Sequence, residues 1–334
     1  MNPKNHPLRL IPNIQSFSPF TLALCLVTPM ITQAQNYPSK AIRIVVPYTA
    51  GGPIDMTTRP LAQKLTESLG VPVVVDNRGG ANGNIGAENV AKSPADGYSL
   101  VVASGGGFSM GPHLYKKMPF DVFKDFSPVS LFVTMPELLV VHPKLPVKTV
   151  KDLVNLAKAQ PKALNFGSSG AGGTPHLAIE LLKIATHTEL THVPYKGMGP
   201  ATMDLIAGQI QLTFADLPVL LQLVKAKKLR ALAVGTQTRS DNLPEIPTMK
   251  EAGYPTVEAY NWYALFAPAG TAKEIINRVN ADTVKAMEAP EMQKFMQSQG
   301  AKASSSTPSE LGALHKKEFD KWGQVIQSIG LTLE

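Results

Sequence analysis

A single cysteine, Cys25, stands in 334 residues. A disulfide framework is therefore excluded, and thiolate chemistry would rest on one position near the N-terminus. Charge is sparse at 17% of residues while 44% are hydrophobic, a balance that excludes a disordered or coiled-coil chain. No apolar run reaches eighteen residues, which argues against a polytopic membrane protein. Several signatures are missing as well. There is no Gly-x-x-x-x-Gly-Lys-Ser/Thr, no Gly-x-Gly-x-x-Gly opening a helix after a strand, and no His-Glu-x-x-His; Gly167-Ser168-Ser169-Gly170-Ala171 carries alanine where a nucleophile elbow needs its last glycine. Nucleotide binding and serine hydrolysis lose their main sequence support.

What is present begins with the first 34 residues. Lys4 and Arg9, no acid, an apolar stretch from Phe17 to Ile31 broken by Pro19 and Pro29, and then Thr32-Gln33-Ala34 read as a secretory signal cleaved after Ala34. Cys25 lies inside it, and Leu24 is too large to precede a lipidated cysteine. The mature chain then has no thiol, and its net charge falls from +7 to +5 with the loss of two basic residues. The remaining basic residues are scattered. The densest group, Lys225, Lys227, Lys228 and Arg230, reads as a solvated helix end, so no nucleic-acid partner is expected.

From Ile42 onward, short apolar strands alternate with amphipathic helices. Strands are expected at Ile42–Val46, Val73–Val75, Leu100–Val102, Leu138–Val141, Leu164–Phe166, Thr191–Val193, Gln211–Phe214, Ala231–Val234 and Tyr260–Ala267. Helices are expected at Met56–Leu69, Leu177–Ile184, Ala201–Ala207, Val219–Ala226, Lys273–Glu288, Glu291–Gln299 and Ser309–Ser328, the last with Thr307 as N-cap and Glu310 completing a capping box. The alternation predicts an α/β protein of two lobes with a mostly parallel sheet. The chain would cross between lobes near Val133–Val141 and again near Val257–Phe266.

In such sheets ligands bind beyond the C-terminal strand ends, where loops enter helix N-termini. After the first strand stands Pro47-Tyr48-Thr49-Ala50-Gly51-Gly52-Pro53-Ile54-Asp55, and after Phe166 stands Gly167-Ser168-Ser169-Gly170-Ala171-Gly172-Gly173-Thr174-Pro175-His176, with Thr174 read as an N-cap. Both loops could offer main-chain N–H groups to an anion. Gly79–Gly86, with Asn84, and Ser104-Gly105-Gly106-Gly107 add small polar residues. Asp55 either caps its helix or meets the ligand; Asp216 and Tyr195 either close turns or point into a cleft. His176 and Glu180 are four apart, but with no third ligand evident they read as a surface pair rather than a metal site.

Tyr37-Pro38-Ser39-Lys40-Ala41-Ile42-Arg43, Gly51-Gly52-Pro53-Ile54-Asp55, Asp76-Asn77-Arg78, Gly83-Asn84-Ile85-Gly86-Ala87, Asp96-Gly97-Tyr98, Phe166-Gly167-Ser168-Ser169-Gly170, His192-Val193-Pro194-Tyr195-Lys196-Gly197, and Trp262 with Ala267-Pro268-Ala269-Gly270-Thr271 occur in this order. They resemble the Bug, or tripartite tricarboxylate transporter, substrate-binding proteins, from about Tyr37 to the last helix. The resemblance implies a type II periplasmic binding protein fold, in which two α/β lobes joined by two crossover strands close around a central cleft. Residues 1–34 would be the signal peptide, 36–138 plus 259–334 the first lobe and 139–258 the second. It also implies a periplasmic, monomeric protein without cofactor or metal, binding a small carboxylated organic solute for the membrane components of such a transporter or for a sensor protein.

Together with the strand-end reading, the ligand residues would be Tyr48, Thr49, Gly52, Pro53, Asp55, Asn84 and Ser104 from the first lobe. Ser168, Ser169, Gly170, Gly172, Thr174, His176, Tyr195 and Asp216 would come from the second. The family often has Asp-Asn where this chain has Ala215-Asp216. An acid there would repel a second ligand carboxylate unless it faces an ammonium, amide or hydroxyl. The rival reading is an exported serine hydrolase using Ser168 or Ser169 with His176.

Overall fold

The computed structural model describes residues 37–48, 50–195 and 197–333. The expected signal peptide, Cys25, Thr49 and Lys196 lie outside the described residues.

Strand β1 (Ile42–Val46) buries Ile44, Val45 and Val46 completely, which is why the sequence shows a continuous apolar run there rather than an alternating one. Helix α1 (Pro53–Leu69) starts with proline in its first turn and stops at Gly70, whose φ of +72° suits the left-handed cap. Strand β2 (Val73–Asn77), helix α2 (Asn84–Ala91) and strand β3 (Ser99–Ser104) follow. A π-helical turn, Gly105–Met110, and the short helix α3 (Gly111–Leu114) lead into β4 (Phe126–Val141), a strand of 16 residues.

The middle of the chain supplies α4 (Val150–Ala159), β5 (Asn165–Ser168), α5 (Thr174–Thr186), β6 (Thr191–Pro194), α6 (Met198–Ala207), β7 (Leu212–Asp216), α7 (Leu217–Lys225) and β8 (Arg230–Val234). The chain returns through β9 (Tyr260–Pro268) and then α8 (Lys273–Glu288), α9 (Pro290–Ser298), β10 (Lys302–Ala303) and α10 (Pro308–Ile329).

The strand order is β2-β1-β3-β9-β4-β7-β5-β6, with β8 and β10 pairing on β4. Here the expectation of a mostly parallel sheet is corrected. Parallel pairing joins β1 to β2 and β3, and β5 to β6 and β7. Between these flanks, β9 runs antiparallel to β3 and β4, and β4 antiparallel to β7, β8 and β10. Local strand–helix alternation sets pairing inside each βαβ unit. It carries no information about how distant units are joined, and here two long strands of opposite sense join them.

Strand β4 serves both flanks. Residues from Phe126 to Pro136 pair with β9, whereas Glu137 to Val141 pair with β7. One core gathers Ile44, Leu61, Leu65, Leu265 and Met287; another gathers Leu139, Phe166, Leu177 and Phe214. The last helix has the expected capping box, Thr307 Oγ1 accepting from Glu310 N–H and Glu310 accepting from Thr307 N–H. It packs Leu311 beside Phe108 and Phe266, while Trp322, Val325 and Ile326 join the core containing α5. The tail thus touches both cores.

Candidate functional site

The loop after β1 is held from below by Asp55. Its carboxylate accepts from Gly51 N–H at 2.9 Å, from Arg59 Nε at 3.0 Å and from Asn77 Nδ2 at 3.0 Å, and the residue is 3% exposed. Burial pushes this carboxyl up, but the donors from Arg59, Gly51 and Asn77 outweigh it and hold Asp55 below the usual carboxylate range. Asp55 is not the N-cap; Gly52 is. Asn77 also donates to Tyr48 O at 3.2 Å, so one amide ties β2 to both ends of the loop.

Tyr48 Oη and Ser104 Oγ are 3.0 Å apart, and Ser104 Oγ also accepts from Gly107 N–H. These residues, with Gly83 and Asn84, border a void of about 10 Å³. That is about the room of one water, so admitting a solute there requires the loops to separate.

The loop after β5 is organised by two hydroxyl and imidazole contacts. Ser168 is fully buried; its Oγ donates to Gly170 O at 2.9 Å and lies 2.6 Å from His192 Nε2. Gly172 N–H donates to His176 Nδ1 at 3.1 Å, leaving Nε2 of that ring facing Glu180 at 3.6 Å. His176 and Glu180 are each only 6% exposed, which corrects the expectation of a surface pair. Their helix packs this face against β6, where His192 stacks on His176 with ring centroids 3.8 Å apart. Burial raises Glu180, yet hydrogen bonds from His176 and Lys183 prevail and hold it low.

Two further corrections concern this loop. Helix α5 has Gly173 as N-cap and Thr174 as its first residue; the Thr174 hydroxyl points to Met110 Sδ at 3.9 Å instead of capping. The hydrolase reading paired Ser168 or Ser169 with His176, whereas the imidazole on Ser168 belongs to His192 of β6. Pairing of β5 with β6 puts Phe166 opposite His192, a long-range register that no local pattern specifies. Tyr195 donates its hydroxyl to Asp204 of α6 at 2.7 Å; burial and that acid push it up to about 12.

Asp216 ends β7 directly opposite Glu137 of β4. Glu137 is completely buried, and burial first, then the neighbouring Asp216, drives its carboxyl well above the usual range. Burial lifts Asp216 to about 6 against hydrogen bonds from Glu137 and Asn261. Tyr263 feels Asp216, Tyr48 and Glu137 together, so it connects this pair to the first loop. Leu114 lies against Gly172, where an added Cβ would come within 2.8 Å of its Cδ1, and the next residue, Tyr115, neighbours Tyr48. The structure therefore gathers Tyr48, Ser104 and Asn84, links them to Asp216 through Tyr263, and brings the Gly172 loop alongside through Leu114 and Tyr115.

Sequence reasoning missed Glu137, Asn261 and Tyr263 and the role of His192. Glu137 did leave a signal: it is a lone acid in the apolar run Met135-Pro136-Glu137-Leu138-Leu139-Val140-Val141. An ionisable residue inside a buried strand pattern is rare enough to mark a site. Among the described residues no group of three metal-ligating side chains occurs, and no helix is long and apolar enough to cross a membrane.

Residues 57–331 match the model of the tripartite tricarboxylate transporter family receptor. The chain is 38% identical over 91% of its length to a protein of the tcbD-tcbE intergenic region of Pseudomonas sp. strain P51, covering 91% of that protein. It is 36% identical to BugT of Bordetella pertussis, over 90% of this chain and 93% of BugT. Among solved structures, Rpa4515 of R. palustris with adipate is similar at TM-score 0.77 and 36% identity, covering 89% of this chain and 100% of that one. The periplasmic binding protein BugD is similar at 0.73 and 32%, covering 89% and 100%. MatC of Rhodopseudomonas palustris with bound malate is similar at 0.72 and 28%, covering 87% and 100%. The likeness to BugD and the other solved structures identifies the architecture as a periplasmic binding protein fold. Half or more of the chain matching one family model, with relatives of this identity end to end, places the protein in the tripartite tricarboxylate transporter receptor (Bug) family.

Proposed function

We propose that the protein captures a small carboxylated solute between two lobes, residues 36–138 plus 259–334 and residues 139–258, and delivers it to the membrane components of a tripartite transporter. It does so in the periplasm after loss of residues 1–34, and it catalyses no reaction. The observation that carries this reading is the pair of glycine loops that run into helix N-termini, Gly51-Gly52 into α1 and Gly172-Gly173 into α5. First-turn N–H groups have no acceptor inside their own helix, and the helix dipole adds positive potential, so each loop end favours a carboxylate. Donors from Gly52 and Ile54, and from Ser169, Ala171, Gly173 and Thr174, would close on the anion from opposite sides as the lobes rotate together, since Pro53 has no N–H and those of Gly170 and Gly172 are already engaged within the loop. Adipate and malate in two relatives' structures agree with that chemistry.

A thermal-shift screen of mono- and dicarboxylates, aromatic acids and acidic amino acids tests it. Stabilisation by at least one acid and by no nucleotide is expected; no shift across the whole set would overturn the reading. Labelling of Ser168 by a fluorophosphonate would overturn the absence of catalysis. Co-purification with transporter membrane subunits tests delivery.

A further inference from the structure

We infer that Glu137, Asp216 and Asn261 form a subsite for a protonated amine, so that the solute carries an ammonium group as well as its carboxylate. This rests on the carboxylate-capture reading and narrows it.

The argument starts from register. Glu137 of β4 pairs with Asp216 of β7, and Met135, two residues earlier on β4, pairs with Asn261 of β9. Residues at paired positions share a face, and so do residues two apart on one strand. The three side chains therefore stand together where β7 and β9 both meet β4, the segment in which the chain passes from one flank of the sheet to the other. Asp216 is also the last residue of β7, on the same edge as the end of the parallel strand β5 at Ser168, and the oppositely directed β3 runs toward it to end at Ser104.

The second element is hydrogen bonding. Glu137 Oε1 and Oε2, Asp216 Oδ1 and Asn261 Oδ1 are buried, and apart from the contact between the two carboxyls none has a hydrogen-bond partner among the described residues. The Asn261 amide is turned to Asp216, and its carbonyl faces the position a Cβ on Gly105 would take, at 3.5 Å. No lysine or arginine is paired with either acid among the described residues, although Glu137 is completely buried and Asp216 is half-buried with its Oδ1 enclosed. Buried charges are ordinarily paired, and buried acceptors ordinarily satisfied. Two carboxyls this close can share one proton, which leaves roughly one negative charge and several free lone pairs. An ammonium has three donors and one positive charge and takes up both. Tyr263 and Tyr48 are the other titratable groups nearby, and burial keeps both hydroxyls protonated. An aliphatic end would leave these acceptors unmet, and a second carboxylate would face the two acids with the Trp262 indole N–H beside Asn261 as the unpartnered donor nearby.

The test compares each amine with its deamino counterpart on the intact mature protein: L-aspartate with succinate, L-glutamate with glutarate, and L-leucine with 4-methylpentanoate, by calorimetry. The amine of the best-bound pair is expected to bind about ten- to a hundredfold more tightly, the range of a charge-assisted buried contact. In Glu137→Gln and Asp216→Asn that preference should collapse, the amine weakening while the deamino acid strengthens as repulsion is removed. Circular dichroism and melting of both variants guard against misfolding. Deamino acids that bind as well as or better than their amines in the unaltered protein would overturn the subsite while leaving carboxylate capture standing. Variants that retain the preference would overturn it too. Failure of all six compounds to bind would instead remove the reading beneath it.

Discussion

Ser168 Oγ lies 2.6 Å from Nε2 of His192, and the His192 ring stacks on both His176 and Phe166, which also stack on each other. A buried hydroxyl inside the glycine loop after β5 is thus positioned by an imidazole from the neighbouring strand. Burial, followed by the adjacent His176, holds His192 down at about 4, so the ring is neutral at pH 7.

The pH dependence of stability follows from that ring. An unfolded histidine takes its proton near pH 6.5, whereas folded His192 does so near 4. Between these values the unfolded state binds more protons, so this contribution is full above about pH 6.5 and is lost as the pH falls toward 4. His192→Gln should flatten that arm. Urea unfolding at pH 7, 5.5 and 4 measures it, and an equal pH slope in both proteins would refute the assignment.

The Glu137–Asp216 pair should act with the opposite sign. Asp216 is raised to about 6 in the folded state, above its unfolded value near 4. Its contribution is present at low pH and is lost as the pH rises through 6. Asp216→Asn is therefore expected to be more stable than the unaltered protein at pH 7, with the gap closing near pH 4. Removing one of two unpaired buried acids relieves desolvation and repulsion together. A variant less stable at pH 7 would show that the pair is held by donors.

Gly172→Ala should disrupt the second loop. Gly172 has φ +76°, and its added Cβ would meet Leu114 Cδ1 at 2.8 Å, a contact between the loop and α3. Strain and overpacking together predict a loss of about 2–4 kcal/mol. Gly51→Ala has a similar φ of +80° with open space around it and should lose only about 1–2 kcal/mol, the backbone part alone. Equal losses in the two variants would remove the contact with Leu114 from the account.

Asp55→Ala strips the acceptor from Gly51 N–H, Arg59 and Asn77 at once. A loss of about 1–3 kcal/mol is expected, with weaker solute binding because the first loop is no longer held. Asp55→Asn keeps an acceptor and should fall between. Unaltered melting in the alanine variant would mean that the loop is set by other contacts.

Local signals carried much of the fold. β1 at Ile42–Val46, α8 at Lys273–Glu288 and the Thr307–Glu310 capping box are specified by adjacent residues, and the structure has each where the pattern puts it. The first half of β4 was illegible because Pro128 and Pro136 interrupt it, and proline argues against a paired strand. In sequence the start of helix α2 reads as a glycine and asparagine loop, since Asn84 and Gly86 are poor helix formers; Gly86 lies tight against Pro47 and Arg78.

The chain by itself determined the α/β class, the two glycine loops and the collinear motifs of its family, because each depends on residues close together in sequence. Tertiary structure decided which imidazole reaches Ser168, that His176 and Glu180 are buried, and that Glu137 faces Asp216 with no cation paired to either among the described residues. Those outcomes depend on strand register between segments tens of residues apart, and a register is chosen by the packing of whole faces rather than by any local pattern.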